Sequence, residues 1–190
     1  MIKLKKDSKE YEFRNLADEV TLKEFDKISQ IMNPQKEGGN EANLEKWLKV
    51  VEVLGCRELA EVIDTDSFLG LIKNFKATDV NGEITEVVEI NKRQYKLTFE
   101  DNKLSIPAKD SALIENYFRT KTNWISYAVA VLYKDVDLSN KEHYDKSHIS
   151  HKVDVFSKEM TADICAPLVF ELNKQLAESY KKIAELNAKT

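Results

Sequence analysis

The chain has 190 residues, of which 42% are hydrophobic and 33% are charged, and its formal net charge at pH 7 is −4. These proportions exclude general disorder, and the interspersed lysines and acidic residues form no basic stripe that would bind nucleic acid. The longest apolar run is about half a membrane span, and the first residues alternate instead of forming a signal peptide. We therefore expect a soluble globular protein that stays where it is made and binds neither nucleic acid nor membrane.

The first predicted elements are a β-hairpin and a helix that covers it. Apolar residues alternate with charged ones in residues 2–4 and 11–13, on either side of a polar turn, which is typical of a hairpin with one apolar face. Thr21 and Glu24 have the spacing of a capping box, and an apolar stripe at helical spacing follows as far as Met32. Because a lone hairpin is only marginally stable, this helix is its predicted cover.

The rest of the first half is predicted to be helical. Apolar residues recur at helical spacing from Leu44 to Leu54, and Gly55 stands where such a helix would end. A short helix around Leu59 follows, and Asp66 can cap one more.

The second half begins with another hairpin, from Ile84 to Phe99, whose turn is predicted at Asn91. Asp110 can then cap a helix. The next run, residues 124–133, is apolar on almost every side, so as a helix it must be surrounded by other elements.

The remaining segments are predicted to be a polar loop and a long helix. Residues 135–152 are poor in aliphatic side chains, which favours a loop with at most a helical turn. From Asp163 onward, apolar residues recur at alternating steps of four and three. This helix either docks fully on the core, or its end runs past the domain and offers a partner-binding site at Tyr180, Ile183 and Leu186.

The two halves resemble each other in the order of their elements. The corresponding residues are Tyr11 with Tyr95, Leu22 with Ile106, Trp47 with Trp124, and Asp66 with Asp163. We therefore predict an α+β, predominantly helical fold with two similar units, each a hairpin packed on a small helical bundle, that arose by internal duplication. The predicted division is a first unit of residues 1–76, a linker of residues 77–82, and a second unit of residues 83–190.

No catalytic motif stands out in the sequence. The carboxylates are spread along helices without a paired motif, and the few glycines form no phosphate-binding loop. Ser147 and His148 are neighbours in sequence, which does not produce the geometry of a nucleophile and its base. Cys56 and Cys165 have no motif spacing and are predicted to be buried reduced thiols. We expect a protein that is not an enzyme, with no catalytic residue and no cofactor.

The three histidines of the chain allow one alternative to this expectation. His143, His148 and His151 crowd the predicted polar loop, and the last two would share a helical face, as metal ligands can. A structural zinc site usually needs a matching ligand pair elsewhere, which the cysteines do not supply. A solvated loop without metal is therefore the prediction, and a small intracellular enzyme or metal-binding regulator that uses residues 143–151 with Asp154 is the alternative.

The second half also carries a family resemblance in the succession of its apolar segments. The segments are residues 95–99, residues 104–106, the helix through Phe118, residues 128–133, the polar segment around Tyr144, and residues 156–168. This succession resembles that of small tail-assembly or virion proteins of tailed bacteriophages, including the crAss-like group.

The resemblance implies a non-enzymatic protein that binds other phage structural proteins, as a single chain or as a homo-oligomer. It would be either a virion component at the neck or tail or a tail-assembly chaperone, located in the virion or the host cytoplasm. No functional residues carry over, because the shared pattern marks packing positions.

Overall fold

The structure of the protein is a computed structural model. The residues it describes are 2–6, 8–14, 19–32, 40–55, 57–64, 66 and 82–187. Their helices are α1 (Leu22–Met32), α2 (Asn40–Val53), α3 (Arg57–Val62), α4 (Ala108–Thr120), α5 (Trp124–Leu132), α6 (Asn140–His143), α7 (Lys146–Glu159) and α8 (Ala162–Asn187). Their strands are β1 (Ile2–Lys6), β2 (Lys9–Phe13), β3 (Val87–Ile90), β4 (Arg93–Lys96), β5 (Phe99–Glu100), β6 (Lys103–Leu104) and β7 (Lys134–Asp135). The predicted α+β, predominantly helical class is confirmed.

The N-terminal hairpin and the first helix form as predicted. Strands β1 and β2 pair antiparallel, and α1 follows the predicted capping box. The backbone N–H and the hydroxyl of Thr21 donate to the Glu24 carboxylate at 3.0 and 2.9 Å. This pairing satisfies a donor that the start of a helix would otherwise leave without a partner.

A small apolar cluster joins α1, α2 and α3 to the start of α8. Val20, Val50, Leu54 and Leu59 are buried there, together with Ala162. Gly55 ends α2 with a φ of +100°, a conformation that side chains disfavour.

The two halves of the chain are also joined through their backbones. The N–H of Leu22 donates to the carbonyl of Met160 at 2.7 Å, and that of Ala162 donates to Val20 at 2.8 Å. These bonds flank an antiparallel bridge between Thr21 and Thr161. Of the predicted linker, only Gly82 is among the described residues, so the division at residues 77–82 stays a prediction.

The main core surrounds α5, the helix that the sequence predicted to be enclosed. Helix α5 packs against α1, α4, α7 and α8. From Ile125 to Leu132, all of its side chains except Tyr127 are buried. The antiparallel sheet of order β3-β4-β7 covers one side. Its first turn lies at Asn91 and Lys92, both with φ near +60°, as the tight turns of two-residue hairpins require. The rings of Tyr95 and Phe156 form a T-shaped contact, with their centroids 4.8 Å apart.

Two predictions of local structure in the second half were incomplete or wrong. A second small hairpin, β5–β6, turns at Asp101 and Asn102 and was not predicted. Asp110 does not cap α4, because the helix begins earlier, at Ala108. The capping prediction failed because Asp110 is buried and its carboxylate binds a lysine and a tyrosine.

The predicted polar loop of residues 135–152 is also wrong. The chain there forms the end of β7, then α6, then the first half of α7. The signals were present: Ser139 and Glu142 form a capping box, the Asp145 side chain accepts from two backbone N–H groups, and Ile149 begins a buried stripe. The same segment also carries polar residues that are buried in the structure, such as Lys152. Their presence in the sequence favoured a solvent-exposed loop over a helix.

The internal duplication is not shown and stays a prediction. Trp47 belongs to the small cluster of α1 to α3, whereas Trp124 packs at the edge of the main core. Of the helix that Asp66 would begin, the remainder lies outside the described residues. Within the described part of the chain, we find no helix with both the length and the apolar character of a membrane span.

Candidate functional site

A cluster of ionisable side chains is buried between α4, β7 and the segment of α6 and α7. Asp110, which is 1% exposed, accepts from the ammonium of Lys134 at 2.8 Å and from the hydroxyl of Tyr144 at 2.7 Å. Lys134 also lies 4.5 Å from the centroid of the Tyr144 ring, and Lys109 lies 3.5 Å from it. Burial and the Asp110 carboxylate raise the pKa of Tyr144 to about 12. The three groups therefore act as an ion pair with a neutral hydroxyl beside it.

Lys152 is a second fully buried ionisable side chain of this cluster. It is 1% exposed, and its ammonium donates to the carbonyl of Tyr133 at 3.0 Å. Burial, together with the positive charge of Lys134, lowers the pKa of Lys152 to about 8. The nearby carboxylates of Asp135 and Asp110 oppose that shift. Lys152 thus stabilises the end of α5 through a backbone carbonyl.

Two of the three predicted histidines join this cluster. His143 is buried and His148 is partly buried, and one ring nitrogen of each is buried without a hydrogen-bond partner. His151 and Asp154 are exposed on α7. No set of three or more His, Cys, Asp or Glu among the described residues is arranged to hold a metal ion. The alternative of a metal site at residues 143–151 therefore gains no support from the described geometry.

We expect His143 and His148 to destabilise the protein in mild acid. Burial lowers the pKa of both imidazoles, and the positive charge of Lys152 lowers it further. Because the folded state then binds these protons less tightly than the unfolded state, the free energy of unfolding should fall as the pH drops below about 6.5. Urea titrations between about pH 7 and about pH 5 measure this slope.

Two variants separate the contribution of these two histidines from that of other groups that titrate in the same pH range. The double variant H143Q/H148Q should show a flatter dependence on pH, while H151Q, at an exposed position, should follow the unmodified protein. Equal slopes in the double variant and the unmodified protein would contradict the prediction.

Cys165 is a buried free thiol, as predicted, and Ser147 contributes to a helix cap. Cys165 is a free, fully buried thiol whose pKa is raised by burial to about 12, so it is not a nucleophile at neutral pH. Ser147 donates to the Asp145 carboxylate that caps α7. Cys56 lies outside the described residues.

An uncharged depression is lined by residues of α1, α5 and α8, together with Phe118 near the end of α4. Its volume is about 390 Å³, and we call it the α1–α5–α8 groove. The residues that line it are Phe25, Ser29, Gln30, Met32, Phe118, Trp124, Ile125, Ala166, Val169, Phe170 and Asn173. None of these described lining residues is charged. Of them, Met32, Phe118 and Phe170 are exposed by 37%, 53% and 47%.

The groove is held in shape by contacts beneath it. The rings of Phe118 and Trp124 form a T-shaped contact, with centroids 5.1 Å apart. Behind them, the buried carboxylate of Asp26 on α1 accepts from the backbone N–H and the hydroxyl of Ser126 at 3.0 and 2.7 Å. Burial raises the pKa of Asp26, and the bonds from Ser126 partly offset that rise. Asp26 therefore fixes α1 against the start of α5.

The predicted partner-binding residues lie at the far end of α8. Tyr180 is 49% exposed. Ile183 and Leu186 are on the described helix, but their side chains lie outside the described part of the structure. The sequence reasoning missed Phe170, Phe118 and Met32, since an apolar side chain on a helix gives no sign of whether a neighbour will cover it.

Searches against protein-family models, curated proteins and solved structures found no match to this chain.

Proposed function

We propose that this chain is a non-enzymatic bacteriophage structural or assembly protein that acts through protein–protein contacts. It is either a virion component at the neck or tail or a chaperone that holds a tail protein before assembly, so it works in the virion or in the host cytoplasm. The phage assignment is supported by the resemblance of its second half to small tail-assembly and virion proteins.

The observation that carries the interaction role is the α1–α5–α8 groove. Single exposed apolar residues are normal on a protein surface. Here Met32, Phe118 and Phe170 instead converge around one depression whose described lining has no charge. Contiguous exposed apolar surface of this kind marks interaction sites in soluble proteins.

The polar cluster offers weaker support for a chemical role. Its most buried base, Lys152, is bound to a backbone carbonyl, and its carboxylate Asp110 is bound to Lys134 and Tyr144. A catalytic group must reach the proton or atom on which it acts, whereas these groups contact one another.

Quantitative mass spectrometry of the phage that encodes this chain tests the proposal. A virion component should be found in purified particles at a fixed copy number, and it should remain after a wash in high salt that removes adsorbed proteins. A chaperone should be abundant in infected cells, bound to a tail protein, and absent from particles. A chain that is absent from particles and binds no phage protein in infected cells would refute both forms of the proposal.

A further inference from the structure

Residues 137–148, which contain α6 and the start of α7, are held to the rest of the chain by few side chains. We call them the histidine segment. Of the side chains described there, that of His143 is buried, those of Leu138, Tyr144 and His148 are partly buried, and the others are exposed. Two of these four anchoring side chains are imidazoles, which can gain a charge between about pH 5 and about pH 8.

The packing between the histidine segment and the sheet is incomplete. A depression of about 400 Å³ lies between them, and its lining includes Leu138 and His143 on one side and Leu97 and Phe99 on the other. Because few apolar atoms meet across this space, little apolar area returns to water when the segment moves away.

The hydrogen bonds that shape the histidine segment are made mostly inside it. Ser139 and Glu142 form the capping box of α6, and Asp145 caps α7. Across the boundary, the hydroxyl of Tyr144 donates to the carboxylate of Asp110 at 2.7 Å. A helix as short as α6 is not stable in water by itself, so its turns persist only while the side-chain anchors hold.

The surroundings of the two imidazoles make an added positive charge costly. One ring nitrogen of each is buried, without a hydrogen-bond partner among the described residues. Burial is the main cause that lowers the pKa of both rings, and the positive charge of Lys152 is the next. A protonated imidazole would therefore place a buried N–H without an acceptor close to a second cation.

The charges enclosed with the imidazoles already balance. Lys134 pairs with Asp110 at 2.8 Å, and Asp135 favours the charged form of Lys152. The other ionisable groups that act on the imidazoles are the exposed Arg93, Glu142, Asp145 and His151. Solvent screens charges at such positions. Two added protons would therefore leave uncompensated positive charge in the cluster.

We propose that protonation of His143 and His148 in mild acid releases the histidine segment from the core, while the rest of the fold stays intact. The proposal does not depend on the proposed phage function. Release places both imidazoles in water, where each binds a proton with the ordinary affinity of a histidine. The closed arrangement is therefore fully favoured above about pH 6.5 and is lost progressively as the pH falls below it.

The release stays local because the main core does not depend on this segment. Ile149, the first residue after it, is buried, and so are Val153 and Phe156 farther along α7; all three belong to the main core. Opening a segment with few buried contacts needs less free energy than unfolding the whole domain. Release also takes Tyr144 away from Asp110, so the acid form exposes charged groups that the closed form covers.

Hydrogen exchange of the full chain at about pH 7.5 and about pH 5.5 tests the proposal. The amides of residues 143–145 and of Ile149 donate to carbonyls of their own helical turns, so they report directly on release. After correction for the intrinsic pH dependence of exchange, their protection should fall by at least about tenfold at the lower pH. The amides of α5, and those of α8 as far as Leu172, should keep their protection.

Three variants identify the groups that hold the segment. H143Q/H148Q, which cannot gain these charges, should show the same protection at both pH values. Tyr144→Phe removes the bond to Asp110 and leaves both histidines in place, so it should open the segment at a higher pH. H151Q, at an exposed position of α7, is the matched control and should behave like the unmodified protein.

Three results would overturn the inference. Residues 143–149 of the unmodified protein could be equally protected at both pH values. They could lose protection together with α5, which would mean that mild acid unfolds the whole domain. The Tyr144→Phe variant could open at the same pH as the unmodified protein. None of these comparisons requires the double variant to fold.

The double variant adds a fourth comparison. If it folds and keeps the pH dependence of the unmodified protein, groups other than His143 and His148 control the segment, and the inference is wrong.

Discussion

Replacing Phe156 with alanine is expected to lower the free energy of unfolding by about 3–5 kcal/mol. The Phe156 side chain is fully buried, and its ring packs edge-on against Tyr95 of β4 and against Tyr133 at the end of α5, with centroids 4.8 and 6.2 Å away. Truncation would leave a cavity where α7, the sheet and α5 meet, and would remove two aromatic contacts. Urea unfolding followed by circular dichroism measures the change.

The matched control is Phe118→Ala, which removes the same atoms from a ring that is 53% exposed. Its cost should be about 1 kcal/mol or less, since little apolar area returns to water and no enclosed cavity forms. Similar losses for the two variants would contradict the position assigned to Phe156 in the core.

Local signals in the sequence were sufficient to predict several of the elements that build this core. Thr21 and Glu24 satisfy each other at the start of α1, and Asn91 begins a turn of positive φ; both depend on residues close in sequence. The enclosure of α5 could also be predicted, because a helix that is apolar on nearly every side has no face that it can expose to water.

Helix α7 could not be read from its apolar residues alone. Its buried stripe of Ile149, Val153 and Phe156 is interrupted by Lys152, which is as deeply buried as they are. A lysine is buried only where a partner accepts its charge or protons, and the partner here is the carbonyl of Tyr133, distant in sequence. The pattern therefore looked polar, although the segment belongs to the core.

The candidate interaction surface depends on tertiary packing in the same way. Leu172 and Phe170 are two apolar residues of one helix, and the first is buried while the second is 47% exposed. Which of them is covered is decided by where α1 and α5 lie, and that in turn depends on contacts such as the bond between Asp26 and Ser126. Sequence periodicity predicted a partner-binding end of α8 at Tyr180, which stays a prediction, and gave no sign that Phe170 is exposed at the groove.

The buried ion pair of Lys134 and Asp110 is expected to show a large, non-additive effect on stability. The side chains are 18% and 2% exposed, with a nitrogen–oxygen distance of 2.8 Å. Lys134→Met alone would leave the Asp110 carboxylate with Tyr144 as its one described side-chain partner, and Asp110→Leu alone would leave a nearly buried ammonium. Each single variant should cost about 3–5 kcal/mol, because it leaves one buried charge uncompensated.

The double variant K134M/D110L should cost clearly less than the two single variants together, because it removes both charges and replaces them with apolar groups of similar size. Urea unfolding of all four proteins closes the double-mutant cycle. Lys174→Met provides the control, since Lys174 pairs with Glu171 at 3.6 Å while 57% of its side chain is exposed; removing it should change stability by no more than about 0.5 kcal/mol. If the two single costs simply add in the double variant, Lys134 and Asp110 do not compensate each other.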